Sequence, residues 1–111
     1  MNRVTQKKGD LALAKAIAYF AELGYEILLP MTESAEYDLV VDTGEELKKV
    51  QVKYCGGASV DLRKIHVNST GYVVNRYTEK SFDWLYVYSP VRGEFLFTTE
   101  WQGKDRVPLK R

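Results

Sequence analysis

Much of what would fix a function class is missing from this sequence. It holds one cysteine, Cys55, so no disulfide can form within the chain, and a lone thiol fits a reducing interior. No apolar run is long enough to cross a membrane, and no charged-then-apolar leader of the signal-peptide kind is present, so an intracellular protein is expected. The single histidine, His66, lies between Ile65 and Val67 without the paired His or Cys spacing of a zinc site. A packed or surface role is expected for it. No repeat, low-complexity tract or linker divides the chain, so residues 1–111 are expected to form one domain with one core. Sixteen basic residues balance fifteen acidic ones for a net charge of +1, which neither favours nor excludes a polyanionic partner. Only local sorting of charge could do that.

What is present centres on residues 37–54. Tyr37-Asp38-Leu39-Val40-Val41-Asp42 and Leu47-Lys48-Lys49-Val50-Gln51-Val52-Lys53-Tyr54 are rich in β-branched and aromatic residues, and Thr43-Gly44-Glu45-Glu46 between them are turn formers. A β-hairpin follows. If residues 43–46 close the loop symmetrically, Asp42 pairs with Leu47, Val40 with Lys49 and Asp38 with Gln51. Opposed residues on paired strands have Cβ atoms about 5 Å apart and project the same way. Asp38 and Gln51 therefore converge, with Lys53 one step along the same face, while Val50, Val52 and Tyr54 point to the other. An acid, an amide oxygen and an ammonium on one face suit a divalent metal beside a phosphodiester.

These residues resemble the signature of the PD-(D/E)XK nuclease superfamily: Asp38, a gap of about a dozen residues, then Gln51-Val52-Lys53. Tyr37 stands for the Pro and Gln51 for the acid. The longer string of Lys8-Gly9-Asp10, Leu23-Gly24-Tyr25, Pro30, residues 37–42 and Val50-Gln51-Val52-Lys53 is similar to one branch. That branch is the small endonucleases associated with group I introns and their relatives in bacteria and phages. The likeness covers the first half of the chain well, and the second half loosely through Phe82-Asp83-Trp84-Leu85-Tyr86-Val87.

The resemblance implies an α/β fold, a mixed sheet of about four or five strands with the first helix across it, like the nuclease core α-β-β-β-(α)-β. It implies Mg²⁺-dependent hydrolysis of double-stranded or branched DNA, with Mn²⁺ able to substitute. Asp38, the Gln51 oxygen and the Val52 carbonyl would hold the metal, and Lys53 would orient the attacking water and stabilise charge on phosphorus. Gln51 brings no charge, so metal should be held more weakly than by an acid. Asp10 has two readings: an N-terminal acid complementing the helix dipole, or a further acid near Asp38 and Gln51. Many superfamily members place a Glu three residues later, where this chain has Leu13. Lys8, Lys48, Lys49, Tyr54, Arg63 and Lys64 are the expected DNA contacts.

Along the chain, residues 1–7 are expected to be frayed or to form an early helical turn capped by Thr5, and a helix is expected from Lys8 or Asp10 to Leu23, its apolar stripe made by Leu13, Ile17 and Phe20 with Ala14, Ala16 and Ala21 beside it. Gly24 stops it. Tyr25–Leu29 reads as a strand, Val60–Leu62, Ile65–Val67 and Tyr72–Val74 as short strand pieces, and Arg76–Asp83 as either a helical turn or a loop. Trp84–Tyr88 and Glu94–Thr98 form a second hairpin. Cys55–Ser59 reads as a loop beside the site, and Cys55 as a buried or incidental thiol. The basic tail from Lys104 has no periodicity. A homodimer or higher oligomer is expected, because duplex DNA has local two-fold symmetry and Trp84, Tyr86, Phe95 and Phe97 supply more apolar surface than one thin sheet readily covers. Two alternatives stand beside the endonuclease: a resolvase of four-way junctions, and a DNA-binding or assembly module without catalysis.

Overall fold

The computed structural model describes residues 3–68, 71–77 and 81–110, and for residues 3, 64–68 and 71–76 the backbone alone. Helix α1 spans Arg3–Glu22, beginning ahead of both Thr5 and Lys8. The opening residues Gln6, Lys7 and Lys8 are good helix formers and nothing upstream breaks them. Asp10 therefore lies in the body of the helix, and no acid sits in its first turn. The dipole-complementing reading of Asp10 falls with that.

Ala12, Ala16 and Phe20, spaced by four, form the buried stripe, flanked by Leu13, Ile17 and Tyr19. Ala14 and Ala21, placed beside the stripe from the sequence, are exposed. Two alanines at the contact let the helix lie close to the sheet. The helix ends in a Schellman turn: Gly24 takes φ 82°, its N–H donates to the Ala21 carbonyl at 2.9 Å and that of Tyr25 to the Phe20 carbonyl at 3.1 Å. The Tyr25 and Phe20 rings then stack across the stop.

Five strands form the main sheet in the order β1-β2-β3-β7-β8: β1 Glu26–Leu28, β2 Leu39–Asp42, β3 Leu47–Tyr54, β7 Trp84–Ser89 and β8 Gly93–Phe97. The β3–β7 pair is parallel and the others antiparallel, so the sheet is mixed as expected. Asp42 pairs with Leu47 and Val40 with Lys49, the register that the turn residues dictate. Asp42 Oδ1 accepts the Gly44 N–H at 2.8 Å, and Gly44 supplies the positive φ of 93° that a side chain would resist.

Two further pairs lie outside this sheet. Strands β5 Arg63–Asn68 and β6 Gly71–Arg76 make a hairpin. Strand β4 Ser59–Asp61 pairs with β9 Arg106–Pro108. The tail thus carries a strand where the sequence shows no period. Three residues are too few to register a period of two, yet Val107 and Leu109 alternate inward. Residues 78–80, inside the undecided Arg76–Asp83 stretch, lie outside the described residues, as do turn residues 69–70.

The sheet separates two cores. On the α1 side, Leu39, Val41, Val50 and Tyr86 pack on Ala16 and Phe20. On the other, Leu85, Val87, Phe95 and Phe97 meet Val60, Leu62, Phe82, Trp101, Val107, Leu109 and Cys55. The alternation of side chains between these two cores is the period of two that a sheet covered on both sides requires. Trp101 is only 1% exposed, stacks on Phe82 with centroids 4.2 Å apart and donates its indole N–H to the Asp83 carbonyl at 3.2 Å. Tyr86, Phe95 and Phe97 are buried within the chain. They do not form the open apolar surface expected to drive self-association, because α1 covers one face and the β4–β9 layer the other.

Candidate active site

Asp38 stands where β2 and β3 part. The last antiparallel pair is Leu39 with Val50, and Asp38 follows just past the end of the paired stretch. The Asp38 N–H still donates to the Val50 carbonyl at 2.9 Å. Beyond that the ladder changes hands: the Val52 N–H donates to Asp38 Oδ2 at 2.8 Å. A side-chain carboxylate thus satisfies an amide that a strand carbonyl would otherwise take. In a strand, the N–H and C=O of one residue point the same way, so the Val52 carbonyl faces the gap that Asp38 borders.

Gln51 and Lys53 project from β3 on the face opposite α1, between the parting strands and the second core. Among the described residues, neither Asp38 Oδ1 nor the Gln51 amide has a hydrogen-bond partner in the protein. Lys53 Nζ sits over the Tyr77 ring, 5.5 Å from its centroid. Burial pushes the Asp38 carboxyl up from its ordinary value, against the Val52 N–H and the Lys53 charge that pull it down. Burial lowers Lys53, against Asp38 and Asp61 that raise it. Opposite charges at a half-buried gap, each displaced toward neutrality by desolvation, are a recognised mark of a functional site.

The donor set fits a hard divalent cation. One carboxylate, one amide oxygen and one backbone carbonyl are all oxygen, the preference of Mg²⁺ and Mn²⁺. Among the described residues no group of three or more His, Cys, Asp or Glu side chains gathers, so the charge at the centre comes from Asp38.

The remaining expected residues scatter. Asp10 is exposed on α1, the helix on the opposite side of the sheet. Lys8 Nζ lies over the Tyr54 ring at 5.5 Å, and both belong to that α1 side. Lys48 also alternates onto it, and is paired with Glu46 at 2.8 Å, which raises its pKa. Lys49 is on the Asp38 face, its Nζ over the Tyr37 ring at 5.7 Å, while Asp83 braces its backbone N–H at 2.8 Å. Arg63 forms a two-pronged pair with Asp61 at 2.9 and 3.2 Å, which holds the Asp61 carboxyl well below the usual range. The Lys64 backbone pairs with Asn75; its side chain, like that of His66, lies outside the described part of the structure. Cys55 is buried, its thiol donating to the Ser59 carbonyl at 3.1 Å.

Tyr77 was not singled out from the sequence. It follows β6, far from Lys53 in the chain, and only long-range folding brings the two together; no local pattern announces it. Burial, then the charges of Asp38 and Glu36, raise its pKa.

The sequence profile described as PD-(D/E)XK endonuclease matches residues 3–105. The chain belongs to that family. Among solved structures, one titled "The structure of a bacterial homing endonuclease: I-Ssp6803I" superposes with a TM-score of 0.83 at 28% sequence identity, covering 96% of this chain and 78% of that one. No curated protein matches the chain. No helix of the described residues is long and apolar enough to cross a membrane.

Proposed function

We propose that this PD-(D/E)XK endonuclease hydrolyses phosphodiester bonds in double-stranded DNA, with Mg²⁺ as cofactor and Mn²⁺ able to replace it. The observation that carries the reading is the Asp38 carboxylate at the strand divergence, held by the Val52 N–H at 2.8 Å with Gln51 and Lys53 beside it. Asp38, Gln51 and the Val52 carbonyl would hold the cation. When bound, it neutralises phosphate charge and makes a bound water more acidic. The Val52 N–H fixes the carboxylate orientation, so little rearrangement is needed when the site loads. Lys53 presents its ammonium to the scissile phosphate and stabilises the charge that develops there.

The likeness to a bacterial homing endonuclease supports cleavage at chosen duplex sites by an intracellular protein, and the local two-fold symmetry of duplex DNA supports a homodimer or higher oligomer. A second reading, a DNA-binding module that has lost catalysis, is favoured by Gln51 in place of an acid. A junction resolvase is the enzymatic rival. The test is incubation with supercoiled plasmid in Mg²⁺ or Mn²⁺, with a chelator as control and four-way junction against linear duplex as competing substrates. Metal-dependent nicking or linearisation is expected, and Lys53→Ala should lower the rate about a hundred- to a thousand-fold while retaining DNA binding. Binding without cleavage in either metal would leave the inactive module.

A further inference from the structure

We infer that Tyr77 is a positioning residue for this reaction, its ring face holding the Lys53 ammonium at the Asp38 edge of the gap. The inference rests on the reading of Asp38 and Lys53 as catalytic partners, and adds a residue outside the two motif elements. Lysine is a flexible chain with three rotatable donors, and Lys53 has no ion pair within salt-bridge distance among the described residues. Its Nζ lies instead 5.5 Å from the Tyr77 ring centroid, within reach of the attraction between a cation and an aromatic face.

The ring is itself braced. Tyr77 meets Phe82 edge-on at 5.1 Å, and Phe82 stacks on Trp101 at 4.2 Å; Phe82 is 0% and Trp101 1% exposed. A column of three aromatics therefore runs from the rigid second core to the catalytic lysine. The same device recurs where Lys49 Nζ lies over Tyr37, 5.7 Å from its centroid. A carboxylate in the place of Tyr77 would bind the ammonium more strongly, but it would also compete with phosphate. An aromatic face locates the charge and leaves all three N–H donors free of acceptors from the ring.

The test compares Tyr77→Phe, Tyr77→Leu, Lys53→Ala and the Tyr77→Leu/Lys53→Ala double variant under single-turnover conditions with saturating enzyme and Mn²⁺. Tyr77→Phe keeps the ring and should cleave within about threefold of the parent. Tyr77→Leu should lose about tenfold in rate, the scale of a partly desolvated cation–π contact, with DNA affinity unchanged. In the Lys53→Ala background the same change should cost nothing further, because its effect acts through the lysine. Independently of cleavage, the ¹³C-labelled Lys53 ε-methylene should show an upfield ring-current shift in the parent and Tyr77→Phe, and the ordinary lysine position in Tyr77→Leu. Full additivity with Lys53→Ala, or an unshifted ε-methylene in the parent, overturns the role of Tyr77. If the parent shows the shift and cleaves no DNA, the nuclease reading fails while the seat for Lys53 stands. Should Tyr77→Leu not fold, fluorinated phenylalanines at position 77 keep the volume and weaken the ring face stepwise. Rates falling with fluorination support the inference, and a flat series overturns it.

Discussion

Asp38→Asn should separate stability from function. The substitution keeps the shape and, through the amide oxygen, the bond from the Val52 N–H seen at 2.8 Å, and it removes the charge. Desolvation is the largest influence on Asp38 and raises its pKa above the ordinary 3.8, outweighing Val52 and Lys53. The sign follows from linkage. Where the folded pKa is raised, the unfolded chain releases its proton first as pH climbs. The stability present below about pH 3.9, the unfolded value, is therefore lost as pH rises through the folded pKa. At neutral pH in chelator, Asp38→Asn should thus be the more stable protein. Relieving a functional-site burden commonly gives about 0.5–2 kcal/mol, and a chain of this size shifts its Tm by about 4–6 °C per kcal/mol. The gap between variant and parent should close as pH falls toward the unfolded pKa. Mg²⁺ should then act on the parent alone: at ten times the Kd, linkage adds about 1.4 kcal/mol, and the Asn variant should show little of it. Differential scanning calorimetry at several pH values, with chelator and with Mg²⁺, measures all of this. An Asn variant less stable than the parent at pH 7 in chelator would show that the Lys53 attraction outweighs burial, and would refute the reasoning.

Gln51→Glu adds a carboxylate at the site, so the Mg²⁺-dependent rise in Tm should appear at lower metal concentration; an unchanged titration would remove Gln51 from the ligand set. Replacing Lys48, Lys49, Arg63 and Lys64 together by Ala should weaken DNA binding and flatten log K against log salt, by about 0.9 for each phosphate that is no longer neutralised. Fluorescence anisotropy at several salt concentrations reads that slope, and no change would place the DNA elsewhere. Trp101→Ala should destabilise the fold by about 3–5 kcal/mol, read by urea denaturation, because it empties the second core behind Phe82. A drop in stability under about 1 kcal/mol would mean that the β4–β9 layer closes over the space the indole leaves.

The hairpin was legible because its information is local. The turn residues 43–46 set a register that the alternating apolar positions can satisfy in only one way, since a slip of one residue would exchange Leu39, Val41 and Val50 with Val40, Lys49 and Gln51. Gly24 was legible for the same reason, its φ of 82° being a backbone demand written in one residue. The parallel pairing of β3 with β7 was not, because nothing local to either strand names a partner so far along the chain. Strand β9 was hidden for a different reason: three residues flanked by charge show no period until β4 supplies the other edge. The helix start stayed open between an early turn in residues 1–7 and Lys8 or Asp10, because a polar opening turn carries no amphipathic signal although its propensity is good.

The site divides along the same line. Gln51 and Lys53 share a face of β3 by simple alternation, and the expected convergence of Asp38 with them is an inference from the strands alone. The expected DNA contacts are neighbours of the motif along the chain, and a sheet divides such neighbours between its two faces. Tyr54 follows Lys53 in sequence, yet adjacent strand residues face opposite ways, and Tyr54 stands on the α1 side beneath Lys8. Lys48 alternates away from Lys49 for the same reason, and it is paired with Glu46 as Arg63 is with Asp61. These are exposed or partly exposed pairs, of the kind whose net contribution is small, so phosphate can displace the internal acid at little cost. But each exchange would leave Glu46 or Asp61 facing the DNA, and that repulsion would offset part of the gain. On this geometry Lys49, which shares the Asp38 face, should contribute more to duplex binding than Lys48, its neighbour with the same charge. Single alanine variants at the two positions give the comparison directly: an equal fall in affinity would mean that the duplex wraps the β2–β3 end of the sheet rather than lying on one side of it.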